Sequence, residues 1–268
     1  MAHGGGDSLN RSTTLLAADE RSVAVALNQG ARSPFLLLGD HAGRAVPRSL
    51  GDLGLQDADL TRHIAWDIGV AQLGGLVSKA LDATFIRQRF SRLVIDCNRD
   101  PVRTDAIPEI SDGSEIPANR GLSDIARRAR INEIARPYHA AISAELDVRA
   151  RQGLPTVLIS LHSFTPQMNG FDRPWRFGVL HAGDSPFSNA ILAELRRQLG
   201  EDLVGDNAPY RMDDVDFTIP HHAGGRGLDY LELEVRQDLI LHPDGQAQIA
   251  EQIARLLPQA LAEARDAV

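Results

Sequence analysis

Short unbroken apolar runs recur along the chain, each closed by a polar cluster, and longer stretches with helical spacing lie between them. The segment Pro34-Phe35-Leu36-Leu37-Leu38-Gly39-Asp40 reads as a strand whose continuous apolar core implies cover on both faces. Leu60, Ile64, Ile68, Leu73 and Val77 fall roughly at helical spacing and predict one helix from Asp57 to Leu81. Ser91-Arg92-Leu93-Val94-Ile95-Asp96 reads as a second buried strand. Residues 100–121, with three prolines and two glycines, predict a long loop of the kind that often carries function. A helical pattern resumes from Leu122 to about Arg151, with a bend expected at Pro137. Thr156 to Leu161 and Trp175 to Leu180 predict two further strands, and Pro186 to Leu199 a helix. A strand from Tyr230 to Val235 and a helix from about Gly245 to Ala264 complete the pattern.

Strands alternating with helices predict an α/β protein in which helices wrap a central sheet. Residues 1–16 read as a flexible leader with little to bury, and residues 17–268 as one domain. No internal repeat or linker divides the chain.

Composition narrows the classes of function. Hydrophobic residues make up 43% of the 268 and charged residues 24%, as in an ordinary globular protein. A formal charge of -8 argues against a nucleic-acid binder, because phosphate recognition draws on clustered Lys and Arg. Arginines are plentiful, but they alternate with acids along apparent helix faces, as on a solvated surface. The single cysteine, Cys97, allows no internal disulfide and suits a reducing cytoplasm. No segment approaches the roughly 18 apolar residues of a membrane span, and Met1 to Asn10 lacks the apolar stretch of a signal peptide. The expectation is a cytoplasmic protein with no membrane partner.

The candidate chemistry lies in the polar residues that close the strands, since ligands of open α/β sheets bind beyond the carboxyl ends. Asp40-His41 follow the first strand, Asp96-Cys97-Asn98-Arg99 the second, His162-Ser163 the third, and Glu232 and Glu234 sit within the last. These are the types needed to hydrolyse an amide. A metal held by about three protein ligands answers both the weak electrophile and the weak nucleophile. A separate carboxylate must then carry the proton from water to the leaving nitrogen. His41 and His162 are the candidate imidazole ligands, although a His after a strand can also serve as a turn residue. For the third ligand there are two candidates. Asp67 stands four residues after His63, on the same face of the predicted helix, and Asp40 can either ligate or orient His41.

Glu234 is the candidate general base, sharing a strand face with Glu232 and Arg236; the same alternation also describes a polar outer face of a half-exposed strand. Arg99 is the candidate clamp for a substrate carboxylate, because a guanidinium offers a planar fork. Asp96 and Asn98 shape its turn, a role these types also play in ordinary turns. The Gly- and Pro-rich stretch from Asn207 to Gly227 reads as a substrate loop, with Tyr210, His222 and Arg226 as contacts and Arg236 as a further cation. His221 and His222 point different ways in extended chain, so at most one faces a site.

Taken together, Gly39-Asp40-His41-Ala42-Gly43 with Pro47, Ser91 through Arg99, Leu161-His162-Ser163, Asn207-Ala208-Pro209-Tyr210 and Leu233-Glu234-Val235-Arg236 resemble the N-formylglutamate amidohydrolase family. The pieces span roughly residues 35–240 in that family's order. The resemblance implies a phosphorylase/hydrolase-like three-layer sandwich with a mostly parallel mixed sheet, shared with zinc carboxypeptidases and aspartoacylases. It further implies one zinc ion per chain on His41 and His162, Glu234 as the catalytic carboxylate, and Asp96, Asn98 and Arg99 as the substrate turn. The relatives use a His-x-x-Glu pair, whereas Arg44 stands three residues after His41. The missing carboxylate must come from elsewhere, with Asp67 the first choice and Asp40 the second. The expected activity is zinc-dependent hydrolysis of a small N-acyl amino acid, N-formyl-L-glutamate foremost. Two alternatives are a carboxypeptidase-like hydrolase of a peptide or cell-wall fragment, and a metal-binding domain without turnover.

Overall fold

The apolar run Phe35–Gly39 forms strand β2, and all five of its residues are buried at the heart of a seven-stranded sheet in this computed structural model. The structure describes residues 14–183, 185–212 and 216–266. In chain order the other strands are β1 (Ala24–Leu27), β3 (Thr84–Gln88), β4 (Ile110–Ser111), β5 (Ser114–Glu115), β6 (Val157–Phe164), β7 (Gln167–Met168), β8 (Phe171–Asp172), β9 (Phe177–Leu180), β10 (Val204–Asp206) and β11 (Asp229–Arg236). The α-helices are α1 (Asp57–Leu60), α2 (Val70–Leu81), α3 (Asp124–Arg130), α4 (Arg136–Arg151), α5 (Pro186–Leu199), α6 (Thr218–His222) and α7 (Pro243–Asp266).

The sheet order is β1-β3-β2-β6-β11-β9-β10. Strands β3, β2, β6 and β11 run parallel, while β1 at one edge is antiparallel to β3 and β9 is antiparallel to β11. Helices cover both faces, which is why the central strands read as continuous apolar runs. On one face, Val70, Leu73 and Val77 of α2, Phe187 and Ile191 of α5, and Ile253 and Leu257 of α7 pack on Phe35, Leu37, Ile159, Leu161 and Leu233. On the other, Tyr138, Ile142 and Leu146 of α4 meet Leu36, Leu38 and Leu158. The architecture is the expected three-layer sandwich with a mostly parallel mixed sheet.

Two of the predicted elements fail for definable reasons. Residues 91–96 are not a strand but a buried turn; the strand beside β2 is β3, Thr84–Gln88. Leu93, Val94 and Ile95 are fully buried beneath α4, and the backbone of the segment bonds to Ala45, Ala65 and Ala106 instead of to a sheet. An apolar run reports burial, and here turn hydrogen bonds satisfy the backbone. The predicted helix 57–81 is broken. Gly69 adopts φ 87° at the start of α2, where a Cβ would overlap the carbonyl of Ile240, and residues 61–69 turn so that His63 and Asp67 share no helix face. The helix predicted over 122–151 contains a π-helical turn, Ile131–Ala135, just ahead of Pro137.

Leu15 and Leu16, assigned above to a flexible leader, are buried, and their N–H groups donate to the carboxylate of Glu133 at 2.9 and 3.0 Å; residues 1–13 lie outside those described. Among the described residues no helix is long and apolar enough to cross a membrane.

The loop after β2 approaches the end of β3 so closely that a Cβ on Gly43 would overlap the carbonyls of Gln88 and Arg89. Gly43→Ala is expected to lower the unfolding free energy by about 1–3 kcal/mol. A denaturant midpoint equal to that of the wild type would refute this close approach.

Candidate active site

Because β2, β6 and β11 are parallel, the polar residues at their carboxyl ends share one edge of the sheet, and Glu234 of β11 lies directly beside His162 of β6. His41 leaves the end of β2 in a turn whose carbonyl accepts the N–H of Asp67 at 2.8 Å. This bond folds the broken segment 61–69 back over the sheet and brings the Asp67 carboxylate to both imidazoles. His162 Nδ1 is 3.1 Å from Asp67 Oδ2 and His41 Nδ1 is 3.7 Å from the same oxygen, with all three side chains buried.

The far nitrogen of each ring is held separately. His41 Nε2 lies 2.7 Å from Asp96 Oδ1, and His162 Nε2 lies 2.9 Å from Ser160 Oγ. Ser160 in turn donates to Asp40 Oδ2 at 3.3 Å, and Tyr138 donates to Asp40 Oδ1 at 2.7 Å. Holding Nε2 aims Nδ1 of both rings at Asp67, as metal-binding imidazoles are held by their other nitrogen. His41 Nδ1 is buried and has no hydrogen-bond partner. Two imidazole nitrogens and a carboxylate oxygen within 4.8 Å of one another suit a zinc ion. Among the described residues this is the one group so placed. Of the two carboxylates considered from the sequence, the structure brings Asp67 to the imidazole pair, while Asp40 sits 3.7 Å from the opposite nitrogen of His162.

Electrostatics holds the cluster together. Burial would raise the Asp67 carboxyl, but His41 and His162 keep it below the ordinary range. Arg92 is half-buried between two acids, 2.6 Å from Asp96 Oδ2 and 3.6 Å from Asp67 Oδ1. Burial pushes Glu232 up to about 8 and Glu234 up to about 7. One oxygen of each, Oε2, is buried without a hydrogen-bond partner.

The cluster opens on a cavity of about 330 Å³, whose walls include His41, Asp67, Arg92, His162, Glu232 and Glu234. Asp96, Asn98, Arg99 and Tyr210 line it too. Arg99 Nη1 is buried with no hydrogen-bond partner and stands 4.0 Å from Asp216 Oδ1. Tyr210 is held by Arg173, which donates to its hydroxyl at 3.2 Å and stacks over its ring. Strands β4 and β5 form a hairpin inside the long loop and supply Ser111 and Asp112 to the wall. Arg62 pins that hairpin, 2.8 Å from Asp112 Oδ2 and 2.6 Å from Ser114 Oγ.

Three residues expected to contact substrate lie away from the cavity. His222 is fully buried against α4, where its Nε2 lies 3.0 Å from His139 Nδ1. Arg226 pairs with Asp147 on the surface at 3.1 Å. Arg236 ends β11, pairs with Asp238 and donates to the carbonyls of Arg173 and Pro174. The sequence assigns no role to Arg92 or Glu232, which the structure places in the cavity wall. The signal for Glu232 was its place on the same strand face as Glu234. For Arg92 it was a lone charge opening a buried apolar run. The half-exposed alternative for β11 is ruled out by burial, since both glutamates are covered.

A family model described as N-formylglutamate amidohydrolase matches residues 33–241 of the chain. A gene product of Agrobacterium tumefaciens with a known crystal structure is 35% identical, at a TM-score of 0.88, over 93% of this chain and 98% of that one. The crystal structure of N-formylglutamate amidohydrolase from Ralstonia eutropha superposes at a TM-score of 0.63 with 20% identity, over 92% of this chain and 99% of that one, a likeness of fold. A comparison with curated proteins found no match.

The donor set makes a direct prediction. Asp67→Ala is expected to lose stoichiometric zinc on dialysis, whereas Asp40→Asn keeps it with affinity about 10–100-fold weaker. Elemental analysis and chelator competition measure both; zinc retained undiminished by Asp67→Ala would contradict the assignment.

Proposed function

The chain belongs to the N-formylglutamate amidohydrolase family, and on that premise we propose that it hydrolyses the amide bond of a small N-acyl amino acid with a zinc ion on His41, Asp67 and His162, N-formyl-L-glutamate being the foremost substrate. The observation that carries the reading is the bare, buried Oε2 of Glu234 in the same cavity wall as that trio.

Zinc bound there supplies a Lewis acid for the amide carbonyl and lowers the pKa of water. The chain's own residues do the rest. Glu234, poised near 7 by burial, accepts a proton from the attacking water at Oε2 and returns it to the departing nitrogen. The C–O bond forms first, and the C–N bond breaks once the nitrogen has been protonated, leaving a carboxylate and a free amine. Arg99 lines the cavity and its buried Nη1 lacks a hydrogen-bond acceptor, which a substrate carboxylate provides in a charge-assisted bond. Asn98 lines the cavity beside it, and its Nδ2 donates to Asp216 Oδ1 at 3.2 Å and to Glu232 Oε1 at 3.5 Å. Arg92 balances the acids Asp67 and Asp96, so the cluster can hold two carboxylates among imidazoles without repulsion.

The pinned β4–β5 hairpin supports a small substrate over a peptide or cell-wall fragment, because it closes one side of the cavity. Asp67 lies with His41 and His162 and offers the carboxylate that Arg44, three residues after His41, does not, which supports turnover over a metal-binding domain without it.

Glu234→Gln is expected to lower kcat on N-formyl-L-glutamate by about 10²–10⁴-fold with zinc retained. Wild-type protein with one zinc per chain and no turnover on a panel of N-acyl amino acids would overturn the proposal. Arg99→Met is expected to act chiefly on KM, since it removes a contact made alike in ground and transition states. Releasing the hairpin with Arg62→Ala should raise the relative rate on N-acyl dipeptides; an unchanged ratio of dipeptide to amino-acid rates would show that the hairpin sets no size limit.

A further inference from the structure

The proposed chemistry leaves two buried imidazoles without a task. His139 on α4 and His222 on α6 stack at 5.2 Å between ring centroids, nearly parallel at 29°, and neither lines the cavity. Burying two imidazoles costs free energy that a pair of apolar side chains would not. Their hydrogen bonds show what they hold.

His139 Nε2 lies 3.0 Å from the carbonyl of Cys97. A carbonyl can only accept, so Nε2 carries the proton and donates. In the neutral ring Nδ1 is then a bare acceptor, and its partner 3.0 Å away is His222 Nε2, which must donate. His222 Nδ1 is left unprotonated, buried and without a hydrogen-bond partner. Burial favours neutral forms of both, drawing His139 down to about 4 and His222 to about 3. The donor chain therefore runs one way, from His222 to His139 to the Cys97 carbonyl.

That carbonyl belongs to the turn that carries Asn98 and Arg99. Thr218 Oγ1 donates to it as well, at 3.3 Å, and Asn98 Oδ1 accepts the N–H groups of Phe217 and Thr218 at 3.2 and 2.9 Å. Helix α6 thus grips the turn at its first residue directly and at its last residue through His139. On the other side Gln88 Nε2 lies 3.2 Å from the Cys97 sulfur. Phe217 packs edge-on against His139 at 4.9 Å and fixes the ring plane.

We propose that His222 and His139 are positioning residues for the substrate turn, setting through the Cys97 carbonyl where Asn98 and Arg99 stand in the cavity. The proposal rests on the hydrolase reading for its kinetic arm and on the geometry alone for its second arm. His222→Leu removes the donor to His139, and the freed ring can turn away from the Cys97 carbonyl. A misplaced clamp should raise KM for N-formyl-L-glutamate about 10–100-fold while kcat changes much less. His222→Gln, which keeps an N–H donor, should recover most of the loss. In an Arg99→Met background His222→Leu should add little to KM, because both act through the same guanidinium. Zinc content should match the wild type throughout.

Equal KM in His222→Leu and wild type, an effect that adds fully to Arg99→Met, equal losses in the Gln and Leu variants, or parallel loss of zinc would each overturn the positioning role. If the wild type has no turnover, the hydrolase reading fails by itself and amide hydrogen exchange decides. Faster exchange at Asn98, Arg99, Phe217 and Thr218 in His222→Leu, with residues around His162 unchanged, upholds the proposal; unchanged exchange at the turn sinks it. Should His222→Leu not fold, His139→Gln serves for the same measurements.

Discussion

The carboxylate of Asp67 joins parts of the chain that the sheet alone would leave apart. It sits at the end of a segment with little regular structure, yet one of its oxygens faces His41 from β2, His162 from β6 and the N–H of Ser163 at 3.1 Å. Its own N–H is tied to the His41 carbonyl. An acid buried this deeply is tolerable only when opposite charge and hydrogen-bond donors surround it. Arg92 and the two imidazoles supply them. Breaking such a buried arrangement by removing one partner costs roughly 3–5 kcal/mol, because the others are left uncompensated. The integrity of the site and that of the loop structure around it are therefore one problem.

A division of labour between the two sheet faces makes this possible. The face under α2, α5 and α7 is apolar along its length and supplies a rigid floor. On the other face the strands are apolar at their amino ends and polar at their carboxyl ends, where Ser160, His162, Glu232 and Glu234 are all buried. Helix α4 braces that polar end with successive residues, Tyr138 to Asp40 and His139 to the Cys97 carbonyl. A π-helical turn, Ile131–Ala135, lies just before it. Charges that would be intolerable singly are held as a network whose members satisfy one another.

Much of this was legible along the chain. Apolar runs marked β2, β6, β9 and β11, and their polar endings marked His41, His162 and Glu234, because strand cores in covered sheets carry a strong and simple pattern. Arg99, Asp96, Asn98 and Tyr210 were legible through the wording of short motifs whose residues line the cavity. The buried turn 91–96 carries the sequence pattern of a strand because burial, not hydrogen bonding, writes the apolar pattern. His222, Arg226 and Arg236 were named as substrate contacts because residue type and loop composition carry no information about direction.

What the sequence alone determined, then, is the set of central strands, the chemical types at their ends and the family likeness that orders them. Tertiary structure decided which carboxylate meets the imidazoles, since Asp67 and Asp40 are equivalent as residues, yet Asp67 faces Nδ1 of both His41 and His162 while Asp40 faces the opposite nitrogen of His162. It also decided that Glu232 and Arg92 join the site and that His222 stands behind it. Local pattern records whether a side chain is covered, but which group it meets depends on contacts between segments distant in sequence, and these exist only once the sheet has brought its strand ends together.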